Sequence, residues 1–113
     1  MMNTLTFLVN DQVVHEVDRE LVLADEQLAF LDNMDRSMDA GIKLYGELIA
    51  EPDIKQRATF VVMNLLRALQ QENEAIASVS SAYLVNCCPS LAEVHAKDEG
   101  DKVVIELVEE TLN

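Results

Sequence analysis

The residues best placed to do chemistry together are three aspartates in FLDNMDRSMDAG at 30–41, namely Asp32, Asp35 and Asp39. On a helix they fall within about 60° of one another, on the flank of an apolar face made by Leu31, Met34 and Met38. Carboxylates so close repel unless a cation intervenes, and that cation is either a metal ion or a basic side chain. Two local partners exist. Arg36 follows Asp32 by four residues and Lys43 follows Asp39 by four, each in the acid-first order that favours a helical ion pair. Asp35 has no such neighbour, and a second helix folded back alongside would bring Arg67 within its reach.

A calcium loop is the sharpest metal-binding candidate, because Asp35, Ser37 and Asp39 are followed by Gly41 and the hydrophobic Ile42. Its offsets fail. Glycine belongs at about loop position 6 and glutamate at about 12, whereas Gly41 and Glu47 each fall one residue late. The period of Met34, Met38 and Ile42 also runs through the segment as helix. A di-iron bundle site needs Glu-x-x-His pairs, and neither His15 nor His95 has glutamate three residues before it. The metal reading that remains as an alternative is a divalent-cation site or metal-assisted hydrolase using Asp32, Asp35 and Asp39 with Glu72 or Glu74.

The other reactive side chains are scattered. Cys87 and Cys88 are adjacent, while paired zinc ligands need residues between them, and neighbouring side chains at a helix end point in different directions. Packed thiols are expected there, with oxidation of an exposed member as the other reading. His15 stands among valines as a packed histidine, and His95 lies amid Glu93 and Asp98 as a surface one. The serines of ASVSSA at 77–82 suit close helix packing better than nucleophilic catalysis. Three glycines in the whole chain leave no phosphate-cradling loop. Neither an enzyme nor a bound cofactor is expected.

With 21 acidic residues against 8 basic ones, the net charge of -13 repels nucleic-acid phosphates and anionic lipid heads and welcomes a basic protein partner. Half of the 113 residues are apolar, enough for one core and a single domain over 1–113. The N-terminus lacks a basic and apolar leader, and no apolar run is long enough to span a bilayer. Two cysteines make no disulfide framework. A cytoplasmic protein follows as the expectation, with neither nucleic acid nor membrane as partner.

Four elements must position these groups. Leu5, Phe7 and Val9, then Val13, His15 and Val17, alternate around Asn10-Asp11 and predict a β-hairpin over 4–17. A three-residue loop at 10–12 would pair Val9 with Val13, Phe7 with His15 and Leu5 with Val17 on one face, whereas a two-residue loop would mix the faces. Leu31, Met34, Met38, Ile42, Tyr45 and Leu48 predict helix A over 25–50, with Asp25 as its N-cap. Glu51-Pro52-Asp53 breaks it, and the apolar series from Ile54 to Tyr83 predicts helix B over 53–88. SLAEVHAKDEG reads as a short helical turn and loop, and VVIELVEE, with Val103, Ile105 and Leu107 on one face, predicts a C-terminal strand over 102–110.

Helix B would be about 51 Å long, so it needs a partner along its length, which helix A supplies as an antiparallel neighbour with Met38 level with Leu65 and Met34 with Leu69. The expected fold is α+β, a long antiparallel two-helix hairpin packed on a small three-stranded antiparallel sheet. The strip FVVMNLL at 60–66 is apolar nearly all round and calls for a second copy, hence a homodimer through the helical hairpin. The functional expectation is a small, acidic, non-catalytic protein–protein interaction or regulatory module whose partner-binding residues are Asp32, Asp35 and Asp39.

Overall fold

The structure, a computed structural model, describes residues 4–20, 23–100 and 102–110. β1 (Thr4–Val9) and β2 (Gln12–Asp18) form the N-terminal hairpin. Its turn is the two-residue Asn10-Asp11, both at positive φ (50° and 69°), a conformation these two residue types tolerate. Val9 pairs with Gln12 and Leu8 with Val13, and a bulge then sets Phe7 opposite His15 and Leu5 opposite Val17. The expected three-residue loop is thus replaced by a tighter turn, and one extra residue in β2 undoes the mixing of faces. Val14 and His15 consequently both lie on the helix side, Val14 beside Leu66 and Leu69 and His15 beside Ala68.

α1 (Asp25–Asp39) keeps the first part of helix A and stops well short of residue 50. Its N-cap is Ala24, one residue ahead of the expected Asp25, with the Gln27 side chain accepting from the Ala24 N–H at 2.9 Å. Gly41 ends it at φ 111°, where an added Cβ would sit 3.2 Å from the Ile49 carbonyl oxygen. Beyond it the chain makes a second hairpin, β3 (Ile42–Leu44) and β4 (Glu47–Ile49), around Tyr45-Gly46. Both turn residues have positive φ, 52° and 80°, as a type I′ turn requires. The three-residue spacing of Ile42, Tyr45 and Leu48 imitates a helix, yet Ile42 is buried while Leu48 is 74% exposed.

Helix B is also divided, into α2 (Ile54–Gln70) and α3 (Glu74–Cys87). Glu72 turns left-handed (φ 56°), its N–H bonding to the Leu69 carbonyl and that of Asn73 to the Ala68 carbonyl, the paired bonds that close many helices. The Asn73 side chain then accepts from the Ile76 N–H at 3.2 Å and opens α3. α2 packs chiefly against α3. The helical hairpin therefore forms between the two halves of helix B, and helix A does not run level along it. A rod of about 51 Å would have exceeded the molecule's longest extent, 37 Å.

β5 (Leu91–Glu99) and β6 (Lys102–Glu109) complete a four-stranded sheet in the order β2-β1-β5-β6, with β1 and β5 parallel and the other pairs antiparallel. β6 is the expected C-terminal strand, but it pairs with β5 and not with the N-terminal hairpin. The segment read as helical turn and loop is instead central to the sheet. Ala, Lys, Asp and Glu are weak strand formers, and only Leu91, Val94 and Ala96 of β5 reach the core. The helices cover one face, where Leu5, Phe7 and Val94 meet Leu31, Leu65 and Leu84. None of residues 60–66 is exposed, so one chain covers that strip by itself. The architecture is mixed α+β.

Candidate functional site

The last turns of α1, the first turn of α2 and the end of α3 meet at the aspartate stripe. Asp32 pairs with Arg36 at 3.0 Å, as their spacing implies. Asp35 and Asp39 pair instead with Arg57. Lys43 lies in β3, beyond the end of α1, so a helical spacing no longer links it to Asp39. Arg67 lines a groove with Phe30 and Met34. Those two occupy the opposite flank of α1 from the aspartates, which removes the expected pairing of Arg67 with Asp35.

Arg57 is delivered by a well-formed helix start. The Asp53 side chain accepts from the Gln56 N–H at 2.8 Å, and the Gln56 side chain accepts from the Asp53 N–H at 2.9 Å, a reciprocal cap that fixes the first turn of α2. From there Arg57 Nε donates to the Pro52 carbonyl at 3.1 Å, Nη1 to the Asp35 carbonyl at 3.0 Å and to Asp35 Oδ1 at 3.2 Å, and Nη2 to Asp39 Oδ1. Two acids in the last turns of α1 oppose the negative end of the helix dipole, and a guanidinium against that end offsets both. The hydrogen bond to Asp39, ahead of the other contributions, raises the Arg57 pKa.

Tyr83 joins from α3, its hydroxyl donating to Asp35 Oδ1. The residue is 3% exposed. Burial first, and then the bond to Asp35, hold its phenol well above the ordinary value, so it acts as a neutral donor. Among the described residues every buried side-chain nitrogen or oxygen has a hydrogen-bond partner. A cation already sits between Asp35 and Asp39, and it is an arginine. Glu72 lines a groove with His15 and Glu74 opens α3. Among the described residues no group of three His, Cys, Asp or Glu side chains is gathered as a metal site. The arrangement is suited to joining three helices and to presenting carboxylate edges, with Asp39 62% and Asp35 46% exposed.

Arg57 and Tyr83 are the members that sequence reasoning missed. Tyr83 was legible only as part of an apolar series. For Arg57 the one available signal was the excess of acid near the end of α1, which demands a cation without saying which.

His15 packs beside Phe7, ring centroids 5.5 Å apart, with Nε2 3.0 Å from Ser81 Oγ. Ser81 gives its only proton to the Ala77 carbonyl at 2.8 Å, so Nε2 is the donor to Ser81. Burial lowers the His15 pKa. Ser80, Ser81 and Ala82 are buried in the helix packing. His95 pairs with Glu93 at 3.0 Å. Cys87 Sγ and Cys88 Sγ lie 3.0 Å apart, so the adjacent thiols converge where divergence was expected. In comparisons with known proteins the chain matches no family model, no curated protein and no solved structure. Among the described residues no helix is long and apolar enough to cross a membrane.

Proposed function

We propose that the protein is a non-catalytic interaction or regulatory module, taking a basic protein partner along the acidic edge of α1 and associating with a second copy through its helical layer. The observation that carries this reading is the division of α1 into two unlike flanks. One flank holds Asp32, Asp35 and Asp39, with Arg57 and Tyr83 bracing Asp35 from behind. Bracing of this kind lowers the entropy lost when a partner's lysine or arginine docks on the exposed edges. The other flank holds Phe30, 50% exposed, which lines a groove of about 340 Å³ together with Met34, Val79 and Ile76, the last 41% exposed. Exposed large apolar side chains around a shared groove suit self-association. The strip at 60–66 no longer supports a second copy, so the proposed dimer contact moves to this groove.

Sedimentation of wild type and Phe30→Glu tests the second copy, with a dimer expected for wild type and a monomer for the variant. A wild-type monomer at all concentrations removes it. The basic partner is tested by pull-downs at physiological salt using the Asp32→Asn, Asp35→Asn, Asp39→Asn triple variant. Because two of these acids hold Arg57, Arg57→Met is run beside it, disturbing the same ion pairs while keeping every acid. Partners lost with the triple variant and kept with Arg57→Met support the acidic edge, and equal recovery from all three proteins refutes it.

A further inference from the structure

Successive side chains of a helix are rotated by about 100°, so two adjacent cysteines inside α3 would point apart. Cys87 is the last residue of α3, and Cys88, at φ -129° and ψ 70°, has already left the helix. That single non-helical residue brings Cys88 Sγ to 3.0 Å from Cys87 Sγ. Both cysteines are free and partly exposed. Cys87 also lines an open cleft with Asp35, Arg57 and Tyr83. We propose that Cys87 and Cys88 form a dithiol modification site, oxidised reversibly by hydroperoxides to a vicinal disulfide.

Either sulfur can donate across the contact, and the hydrogen bond between them raises one thiol and lowers the other, which favours a single thiolate in the pair. The thiolate is the nucleophile. In the first step the thiolate of the pair attacks one peroxide oxygen and the O–O bond breaks. The departing hydroxide or alkoxide takes a proton and leaves as water or alcohol, and the attacking cysteine becomes a sulfenic acid. In the second, the neighbouring sulfur attacks the sulfenic sulfur, the S–O bond breaks, and the hydroxyl leaves as water with the proton of the second thiol. Two thiols lose two electrons in all, and the peroxide gains them.

The surroundings select the oxidant. Around a chain of net charge -13, anionic disulfides are disfavoured as oxidants and neutral hydroperoxides are not. Neighbouring Cα atoms lie about 3.8 Å apart, closer than the roughly 4.4–6.8 Å usual for a disulfide. The bond is therefore strained and readily returned to thiols, as labile regulatory disulfides are.

The test treats the reduced full chain with hydrogen peroxide and reads intact mass and alkylation by iodoacetamide. The expected product has lost two hydrogens, has both cysteines blocked within one chain, and is restored by dithiothreitol. It should form about tenfold faster in the native protein than in urea, because only the native contact enriches the thiolate. Cys87→Ser and Cys88→Ser should each stop at a dimedone-reactive sulfenic acid on the remaining cysteine. The proposal is overturned if both thiols stay alkylatable, if the product is a disulfide between chains, or if urea leaves the rate unchanged. The wild-type comparison stands whether or not either variant folds.

Discussion

Arg57 and Asp35 are joined twice through one nitrogen, Arg57 Nη1 donating both to the Asp35 carbonyl at 3.0 Å and to Asp35 Oδ1 at 3.2 Å. This contact fastens the first turn of α2 to the last turns of α1. Arg57→Met keeps most of the stem but strands two acids at the negative end of α1. A loss of about 1–2 kcal/mol is expected, discounted because the carboxylates are partly exposed. The urea midpoint at neutral pH measures it. Arg57→Lys should recover only part, since one ammonium cannot reproduce the guanidinium fork, and an unchanged midpoint in both variants would remove the clamp from the account.

Tyr83 makes stability fall in alkali. Its folded pKa is raised, so its contribution is whole below the unfolded value of about 10 and is lost as pH rises above it, at up to about 1.4 kcal/mol per pH unit. Tyr83→Phe should be less stable at neutral pH, lacking the bond to Asp35, and should show a shallower decline above pH 10. Parallel decline in both proteins would contradict the assignment.

His15 acts at the other end of the scale. Its folded pKa is lowered by burial, so stability is intact above the unfolded value of about 6.5 and decreases as pH falls through the folded value. His15→Gln offers an amide donor in place of Nε2 and does not titrate. Thermal midpoints between pH 7.5 and 5 should fall less steeply for the variant than for wild type.

Gly41 and Gly46 separate backbone strain from crowding. An alanine at Gly41 meets both φ 111° and the Ile49 carbonyl, whereas at Gly46 nothing lies within 4 Å of the added Cβ. Gly41→Ala should cost about 1–3 kcal/mol, and Gly46→Ala, in an ordinary left-handed turn, about 1 kcal/mol. Equal losses in chemical denaturation would mean that the carbonyl contact is relieved without cost.

Divalent cations should leave the thermal midpoint where it is, because the Arg57 guanidinium sits between Asp35 and Asp39. A ligand at a hundred times its dissociation constant adds about 2.7 kcal/mol, an effect too large to overlook. A rise with calcium, magnesium or manganese would revive the cation-binding alternative.

Groups held close along the chain were legible in the sequence. The Asp32–Arg36 pair, the Phe7–His15 and Leu5–Val17 pairings and the inward face of β6 at Ile105 and Leu107 depend on the helical or strand repeat over a few residues. Helix A overran because Ile42, Tyr45 and Leu48 keep a helical spacing while Gly41 and Gly46 impose a backbone no helix has. Helix B overran because its break rests on a left-handed glutamate, Glu72, which residue type alone does not announce. β5 escaped notice because its place at the centre of the sheet outweighs weak strand formers.

By itself the sequence determined that an acidic, half-apolar chain would make one α+β core and that Asp32, Asp35 and Asp39 would share a stripe needing cations. Only the tertiary structure decided that Arg57, from 22 residues beyond Asp35, is the cation, and that Cys87 and Cys88 face each other. Bond geometry sets which neighbours share a face, but the choice among distant partners is made by which surfaces the chain buries together, and no local spacing records that.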